Sequence, residues 1–302
     1  MISLRVFLIV ISVLISINAK ALCVLSENEH AGIESIAKSL EGSFDVKFIS
    51  MSDQPNSKLK CDVTLAIGKD PVQWMKFVDS ESKKVVSVVN KRSDSCLDHL
   101  CRSNAVITTP PSGEIIGKLK ALNPKVRVLH LVYDIHHVLV ARNTMMAAKH
   151  KGNGYSLLVY EYPVAKQSDV AKTYEAIINK YQDEKGKHAI WYGYHDDMAN
   201  NDINALVKGS LRSEIVLGSD SYLMAKKGAL FAVTPNFDTI SEQLKGMIVT
   251  VQNDKPAGIR TTADVVTIIN KRSAYLLDLE VEELAFDISI QPVSPFMVNM
   301  SF

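Results

Sequence analysis

The run Val126–Tyr133, VRVLHLVY, opens the part of the sequence that indicates the fold most directly. It is strand-like, and the next strand-like run is Ser156–Tyr160, SLLVY. Amphipathic helix patterns follow these two runs, at His137–Lys149 and Asp169–Tyr181, before a third strand-like run at Ala189–Tyr192, AIWY. Short apolar strands that alternate with amphipathic helices are typical of a parallel sheet with helices on both faces. This segment therefore predicts an α/β fold.

The same alternation occurs earlier, between residues 22 and 122, and it predicts a second sheet of the same kind. We expect two Rossmann-like lobes, each a parallel sheet with helices on both faces. The strand and helix patterns of the last third are too few for another domain, so they should complete these two sheets and form a multi-crossover hinge. The expected first lobe is 22–117 plus about 228–256, and the expected second lobe is 118–227 plus about 257–302.

The N-terminal residues have the pattern of a secretory signal peptide. Arg5 supplies a positive charge, Val6–Ile17 is an apolar run, and Ala19-Lys20-Ala21 has the small residues of a cleavage site. The apolar run is too short to cross a bilayer of roughly 30 Å. We expect residues 1–21 to be removed and the protein to be periplasmic or extracellular. Retention of the segment as an anchor is the alternative, and a lipid anchor on Cys23 is disfavoured by Leu22 before it.

The balance of charge argues against nucleic acid as a partner. Removal of Arg5 and Lys20 from the 34 Lys and Arg leaves 32 against 33 Asp and Glu, so the expected mature chain has a net charge of −1. A nearly neutral chain without a cluster of basic residues lacks the electrostatic footprint of a nucleic-acid-binding protein.

The four cysteines of an exported chain favour disulfides. Cys96 and Cys101 are five positions apart in a polar stretch, and we expect them to be bonded. Cys23 and Cys61 could then pair or remain as buried thiols. A zinc site that uses His99 between the first two cysteines is the competing interpretation, although a structural zinc site needs four closely spaced ligands.

The residues that follow predicted strands are the candidates for a ligand site, because ligands of open α/β sheets bind outside the carboxyl ends of the strands. These stretches are polar and aromatic, as in a cleft for a small polar or aromatic ligand. We expect Lys69 to contact a ligand carboxylate and the acidic residues to contact an amino group or sugar hydroxyls. The predicted ligand-binding residues are Glu27, Lys69, Asn90, Tyr133, Tyr194, Asp196 and Asp220.

The sequence contains none of the motifs that would indicate an enzyme. It has no G-x-S-x-G elbow, no Walker loop, no G-x-G-x-x-G after the first strand and no H-E-x-x-H. Asp134-Ile135-His136-His137 and His195-Asp196-Asp197 come nearest to a metal or acid–base cluster. Both lie at predicted strand–helix junctions, where Asp and His commonly cap a turn. We expect no catalytic residues, no metal and no cofactor.

Motifs in a fixed order along Leu22–Leu279 resemble those of the substrate-binding proteins of ABC transporters, of the uncharacterised-solute type. Asp62–Gly68 is similar to the strand and glycine turn before the first-lobe binding helix of that family, and Gly228–Val233 resembles its late return to the first lobe. Further similar stretches are Lys84–Asn90, Asn104–Thr108, Gln243–Pro256 and Val266–Ala274.

This resemblance implies the fold of type I periplasmic binding proteins, ligand capture by lobe closure and delivery to an ABC permease by a monomer. Ligands in that family include sugars and aromatic amino acids. The chain departs from the family pattern at Lys69, where a small hydroxyl residue is usual, and at Thr109-Pro110, where a glycine is expected. The alternatives are a periplasmic sensor subunit that signals to a membrane kinase or cyclase, and an exported two-lobed enzyme such as a glycosyl transferase.

Overall fold

The computed structural model describes residues 21–26, 31–50, 61–75, 81–87, 104–108, 112–134, 141, 144, 145, 148, 157–194, 198–262, 264–281 and 286–290. The chain divides into two compact units. Unit 1 comprises 1–108 and 237–262, and unit 2 comprises 109–236 and 263–302. The chain therefore passes from one unit to the other three times, at 108–109, 236–237 and 262–263.

Unit 1 is built on a six-stranded parallel sheet. Its strands are β1 (Ala21–Ser26), β2 (Asp45–Ser50), β3 (Val63–Ile67), β4 (Lys83–Ser87), β5 (Asn104–Thr108) and β11 (Gly258–Thr262), in the spatial order β11-β5-β4-β3-β1-β2. Its described helices are α1 (Ala31–Glu41), α2 (Lys69–Trp74) and α7 (Phe237–Gln252).

Helices pack on both faces of this sheet, because the central strands are apolar on both sides. All five residues of β3 are buried. On one face, Ile36 and Leu40 of α1 and four turns of α7 cover the strands. On the other face a smaller core includes Val72 and Met75 together with the disulfide between Cys23 of β1 and Cys61. A bond between Cys23 and Cys61 was one of the two possibilities left open above, the other being two buried thiols. The predicted bond between Cys96 and Cys101 lies outside the described residues.

Unit 2 is built on a seven-stranded sheet in the order β13-β12-β10-β9-β8-β6-β7. The strands are β6 (Val128–Asp134), β7 (Leu158–Val164), β8 (His188–Tyr194), β9 (Val216–Ser219), β10 (Phe231–Pro235), β12 (Val265–Asn270) and β13 (Ile288–Ile290). Its helices with described bounds are α3 (Ser112–Leu122), α4 (Ser168–Tyr181), α5 (Asn200–Arg212), α6 (Tyr222–Lys227) and α8 (Lys271–Leu276). β12 runs antiparallel to β10, and β13 is parallel to β12.

Two apolar cores lie on opposite faces of the second sheet. One contains Trp191 and Phe231, whose ring centroids are 5.9 Å apart, together with residues of α3 and α8. The other contains Tyr174 and Tyr192 with the apolar faces of α4 and α5. The prediction of two α/β sheets with helices on both faces is confirmed, with two strands of the second sheet reversed.

Several local predictions differ from the structure. The stretch Gly228–Val233 was expected in the first lobe, but β10 pairs with β9 and β12 in unit 2, because its apolar residues on both faces fit the middle of that sheet. β7 extends to Val164 and β8 to Tyr194, beyond their apolar runs. Among the described residues, no helix has the length and apolar character needed to cross a membrane.

Candidate functional site

The carboxyl ends of the parallel strands in unit 1 bring polar groups to one edge of the sheet. Ser26 at the end of β1 and Ser87 at the end of β4 are both in register with Ile67 at the end of β3. Gly68 follows with a positive φ of 108°, and its N–H donates to the carbonyl oxygen of Ser87 at 3.1 Å. The backbone turn from β3 into α2 is thereby fixed against β4.

Ser87 is the group at this edge that the sequence analysis missed. Its side chain is fully buried, and its hydroxyl has no hydrogen-bond partner among the described residues. Buried hydroxyls usually have a hydrogen-bond partner, so Ser87, beside the Gly68 turn, is a candidate contact for a small polar ligand. The signal available in the sequence was its place inside VVSVV, where a serine interrupts an apolar strand.

The structure places the predicted contacts of unit 1 only in part. Lys69 is the first residue of α2, directly after the Gly68 turn, and its side chain lies outside the described residues. Glu27 and Asn90 also lie outside them. Their participation in a ligand site remains a prediction.

The second polar edge lies in unit 2, where β6, β8 and β9 are parallel neighbours. Tyr133 near the end of β6 is in register with Tyr194 at the end of β8, after a bulge between Leu131 and Tyr133. Asp220 follows β9, and its N–H donates to the carbonyl oxygen of Tyr192 at 3.3 Å. The structure thus brings the backbones of three predicted residues, Tyr133, Tyr194 and Asp220, to one edge.

The Asp220 carboxyl group sits directly over the backbone of Gly193. A Cβ atom at position 193 would lie 2.4 Å from Cγ of Asp220, and Gly193 has a φ of 153°. The turn that carries Asp220 is fixed by the N–H of Ser221, which donates to the hydroxyl of Ser219 at 3.0 Å. Glycine is therefore required at position 193 for this half-buried carboxylate to approach the strand.

The carboxylate also influences the aromatic core beneath it. Burial raises the pKa of the Tyr174 phenol well above its ordinary value, and the proximity of Tyr192 and Asp220 adds to the effect. The Tyr174 hydroxyl stays neutral and donates to the carbonyl oxygen of Trp191 at 3.4 Å. Asp220 is thus a negative charge at the sheet edge, above a neutral aromatic layer.

Tyr133 is less available than its position after the strand suggested. Its side chain is only 5% exposed, and its hydroxyl donates to Oε1 of Glu161 on β7 at 3.3 Å. A ligand at this edge would therefore meet a phenol that is already oriented by a carboxylate. Tyr194 contributes backbone to the edge, and its side chain and Asp196 lie outside the described residues.

We expect the Gly193→Ala substitution to destabilise unit 2 by about 1–3 kcal/mol, because the new methyl group collides with the Asp220 carboxyl group. Urea unfolding followed by Trp191 fluorescence measures the change. Gly117→Ala is the matched control, since nothing lies within 4 Å of a Cβ atom there and the site is inside α3. That substitution should be neutral or stabilise by up to about 1 kcal/mol. Equal stabilities of the two variants would contradict the placement of Asp220.

The described residues contain no group of three His, Cys, Asp or Glu that could hold a metal ion. The side chains of Asp134, His136 and His137 and of His195-Asp196-Asp197 fall outside that part of the chain. What the described edges present is an oriented carboxylate, a buried hydroxyl and a backbone glycine turn, which are hydrogen-bonding groups for a small polar ligand.

Comparisons with solved structures identify the fold. The chain is similar to the ABC domain from Streptococcus pneumoniae in complex with L-Trp, with a TM-score of 0.66, 18% identity and coverage of 89% of this chain and 100% of that one. It is equally similar, at 0.66 and 15% identity over 90% and 99% of the two chains, to a substrate-binding protein with adhesive properties from Clostridium difficile in its ligand-free, open form. The chain has the fold of type I periplasmic binding proteins.

A sugar-binding example shares this fold. The periplasmic solute-binding protein of an ABC transporter from Actinobacillus succinogenes, with bound D-allose, matches with a TM-score of 0.52 at 10% identity over 85% of this chain and 99% of that one. No protein-family model matches the chain, and no curated protein does. At these identities the likeness concerns the fold alone. The fold that the motif resemblance in the sequence implies is thereby confirmed.

Proposed function

We propose that the chain is an exported solute-binding protein that captures a small ligand in an interlobe cleft and delivers it to an ABC importer. The observation that carries the proposal is the Asp220 carboxylate, held at the carboxyl edge of the second sheet by the glycine at 193. Structures with the same fold hold L-Trp and D-allose, which supports a ligand-binding role.

The chemistry at the two edges favours a ligand with an amino group or several hydroxyl groups. A half-buried carboxylate stabilises an ammonium group or accepts from hydroxyls, and the Ser87 hydroxyl can serve as donor or acceptor. Lys69, at the start of α2, is the proposed partner of a ligand carboxylate. Glu27, Asn90, Tyr133, Tyr194 and Asp196 complete the proposed set around these groups.

The proposed mechanism is reversible closure of the two units on the ligand, with the closed form recognised by a membrane permease. Removal of residues 1–21 would place the mature protein in the periplasm or outside the cell. The proposed protein acts as a monomer, as the family resemblance implies. It acts without turnover of the ligand, since the sequence has no G-x-S-x-G, Walker, G-x-G-x-x-G or H-E-x-x-H motif.

A thermal-shift screen of the purified protein with amino acids, sugars and nucleosides tests the binding role. A ligand present at about 100 times its Kd stabilises the folded state by about 2.7 kcal/mol, which corresponds to a rise in Tm of about 5 °C or more. No shift with any of the three classes would contradict the proposed function, and chemical conversion of a ligand would favour the enzyme alternative.

The ligand found by that screen should bind Asp220→Asn with an affinity reduced about 10- to 150-fold, since hydrogen bonds to a charged group are worth about 1.5–3 kcal/mol. Titration calorimetry measures the change. Asp202→Asn is the control, because Asp202 is an exposed acid in the first turn of α5 in the same unit. Equal loss of affinity in both variants, or none in either, would remove Asp220 from the site.

A further inference from the structure

Two histidines are buried next to one another in unit 2, at the opposite end of β8 from Gly193. His130 lies on β6 with no exposed surface, and His188 opens β8 with 2% of its surface exposed. Nε2 of His130 is 3.0 Å from Nδ1 of His188, and the ring planes are stacked with centroids 5.2 Å apart. The proposed ligand site uses neither residue.

The groups that face this pair come from every neighbouring element. From β7, the Tyr162 hydroxyl is 3.0 Å from Nδ1 of His130, and the Tyr160 ring centroid is 5.7 Å away from that of His130. From the end of α4, the Tyr181 ring stacks on His188 at 4.3 Å, and Lys180 lies over the Tyr181 ring. From the turn before β8, Oε2 of Glu184 is 3.4 Å from Nε2 of His188.

Solvent reaches the cluster through Tyr162. This half-buried residue lines a surface cavity of about 350 Å³ together with Lys172 and Lys180 of α4. Nε2 of His188 makes no hydrogen bond among the described residues, so the contact with Glu184 has ion-pair distance without hydrogen-bond alignment. The pair is thus buried, yet a phenol and a half-exposed carboxylate connect its two ends to water.

Only one proton fits between the two rings. If the Tyr162 hydroxyl donates to His130, then His130 donates to His188, and the remaining N–H of His188 points to Glu184. When both rings are protonated, each carries an N–H at this contact, and the two N–H groups face one another across 3.0 Å. Full protonation therefore breaks the contact that joins β6 to β8 on this face.

We propose that the His130–His188 pair is a proton-sensitive latch that holds the edge strand β7 and the end of α4 against β6 and β8 at neutral pH and releases them in acid. The latch belongs to unit 2 alone, and neither of its tests involves a ligand. Its failure would leave the proposed binding function untouched.

The sign of the pH dependence follows from the fate of His130. Burial, followed by the charges of His188 and Lys180, lowers the pKa of His130 from 6.5 to about 3. Between these two values the unfolded chain binds a proton that the folded chain does not, so stability falls as the pH falls through this window. From pH 7.5 to pH 5.0, His130 alone raises the unfolding equilibrium constant about 30-fold.

Urea unfolding of the wild type and of His130→Gln at pH 7.5 and 5.0 tests this prediction. We expect the variant to be less stable than the wild type at pH 7.5. Between pH 7.5 and 5.0, its unfolding equilibrium constant should rise by a factor about 30 times smaller than that of the wild type. A merely structural role would lower stability equally at both pH values. An identical pH dependence in wild type and variant would overturn the proposal.

Hydrogen exchange locates the effect and does not depend on the folding of His130→Gln. The amides of β7 are the probes, for example that of Leu158, which donates to the carbonyl oxygen of Arg127. In the wild type, their protection should fall by about 10-fold or more from pH 7.5 to 5.0, after correction for the pH dependence of intrinsic exchange. The amides of β3 in unit 1 should stay protected. Tyr162→Phe should lower β7 protection already at pH 7.5. Tyr174→Phe should not, because the Tyr174 hydroxyl donates to the carbonyl oxygen of Trp191 and not to a histidine. Uniform loss of protection across both units in acid would contradict a local latch.

Discussion

Replacement of Cys23 and Cys61 together by alanine is expected to lower the free energy of unfolding of unit 1 by about 4 kcal/mol. The bond closes a loop with a sequence separation of 38 residues, and loop-closure entropy for that length gives this magnitude. Both cysteines are buried in the smaller of the two cores of unit 1, so alanine avoids a new unsatisfied hydroxyl. The cross-link supplements the apolar contacts on the face of the sheet where the described helix is the short α2.

The two tryptophans of the chain allow this loss to be assigned to one unit. Trp74 packs against the core that contains the disulfide, and Trp191 lies in unit 2. With Trp191→Phe as background, Trp74 fluorescence should show a midpoint lowered by about 1 M guanidinium chloride for an m-value of about 4 kcal/mol/M. With Trp74→Phe as background, the Trp191 transition should stay within about 0.5 kcal/mol. A Trp74 transition that does not move would show that the bond adds no stability.

Trp191→Ala should destabilise unit 2 by about 3–5 kcal/mol, the range for removal of a buried aromatic side chain. Trp191 is fully buried, and β9 has Gly218 where a Cβ atom would come within 3.0 Å of the indole and 2.6 Å of the Phe231 ring. Neighbouring strands are thus shaped around this ring, and a cavity left by its removal cannot close easily. Circular dichroism reports the unfolding of both units, whereas Trp74 fluorescence reports unit 1 alone, so a transition seen only by circular dichroism belongs to unit 2.

Trp191→Phe is the milder variant for this test, and it should lose about half as much stability because the benzyl ring still contacts Phe231. The Trp74 transition should be unchanged in both variants. If Trp191→Ala shifted the Trp74 transition as much as the transition of unit 2, the two cores would not be energetically separate.

The sequence predicted the sheets because the central strands are buried on both sides and therefore consist of uninterrupted apolar residues. VTLAI in β3 is an example, and all of its residues are buried. β11, GIRTT, is an edge strand of its sheet and does not need apolar residues on both faces. Its sequence therefore has no apolar pattern that would have predicted a strand. The three-residue β13 is too short to show a period.

The pairing of β10 could not be predicted locally. FAVTP would fit the middle of either sheet, and only its contacts with β9 and β12 place it in unit 2. The chain then returns to unit 1 for α7, so sequence order alone suggested the wrong lobe for this strand.

The candidate site was predicted where it depends on topology and missed where it depends on close contact. Asp220 was predicted because it follows a strand. Gly193 carried a signal that was not used, since an isolated glycine within the aromatic strand WYGY indicates a close approach of another group. Ser87 gave a weaker signal, a serine within the apolar run VVSVV, because its burial without a hydrogen-bond partner among the described residues is seen only in the structure.

The return of the chain to unit 1 affects the order in which the protein can fold during synthesis. When residue 108 has been made, β1 to β5 exist without α7, whose Ile240, Leu244, Met247 and Ile248 cover one face of their sheet. The intervening segment 109–236 takes about 6–25 s to translate at 5–20 residues per second. During that interval the face of the first sheet that α7 covers stays open, so the growing chain exposes apolar strand residues that can aggregate.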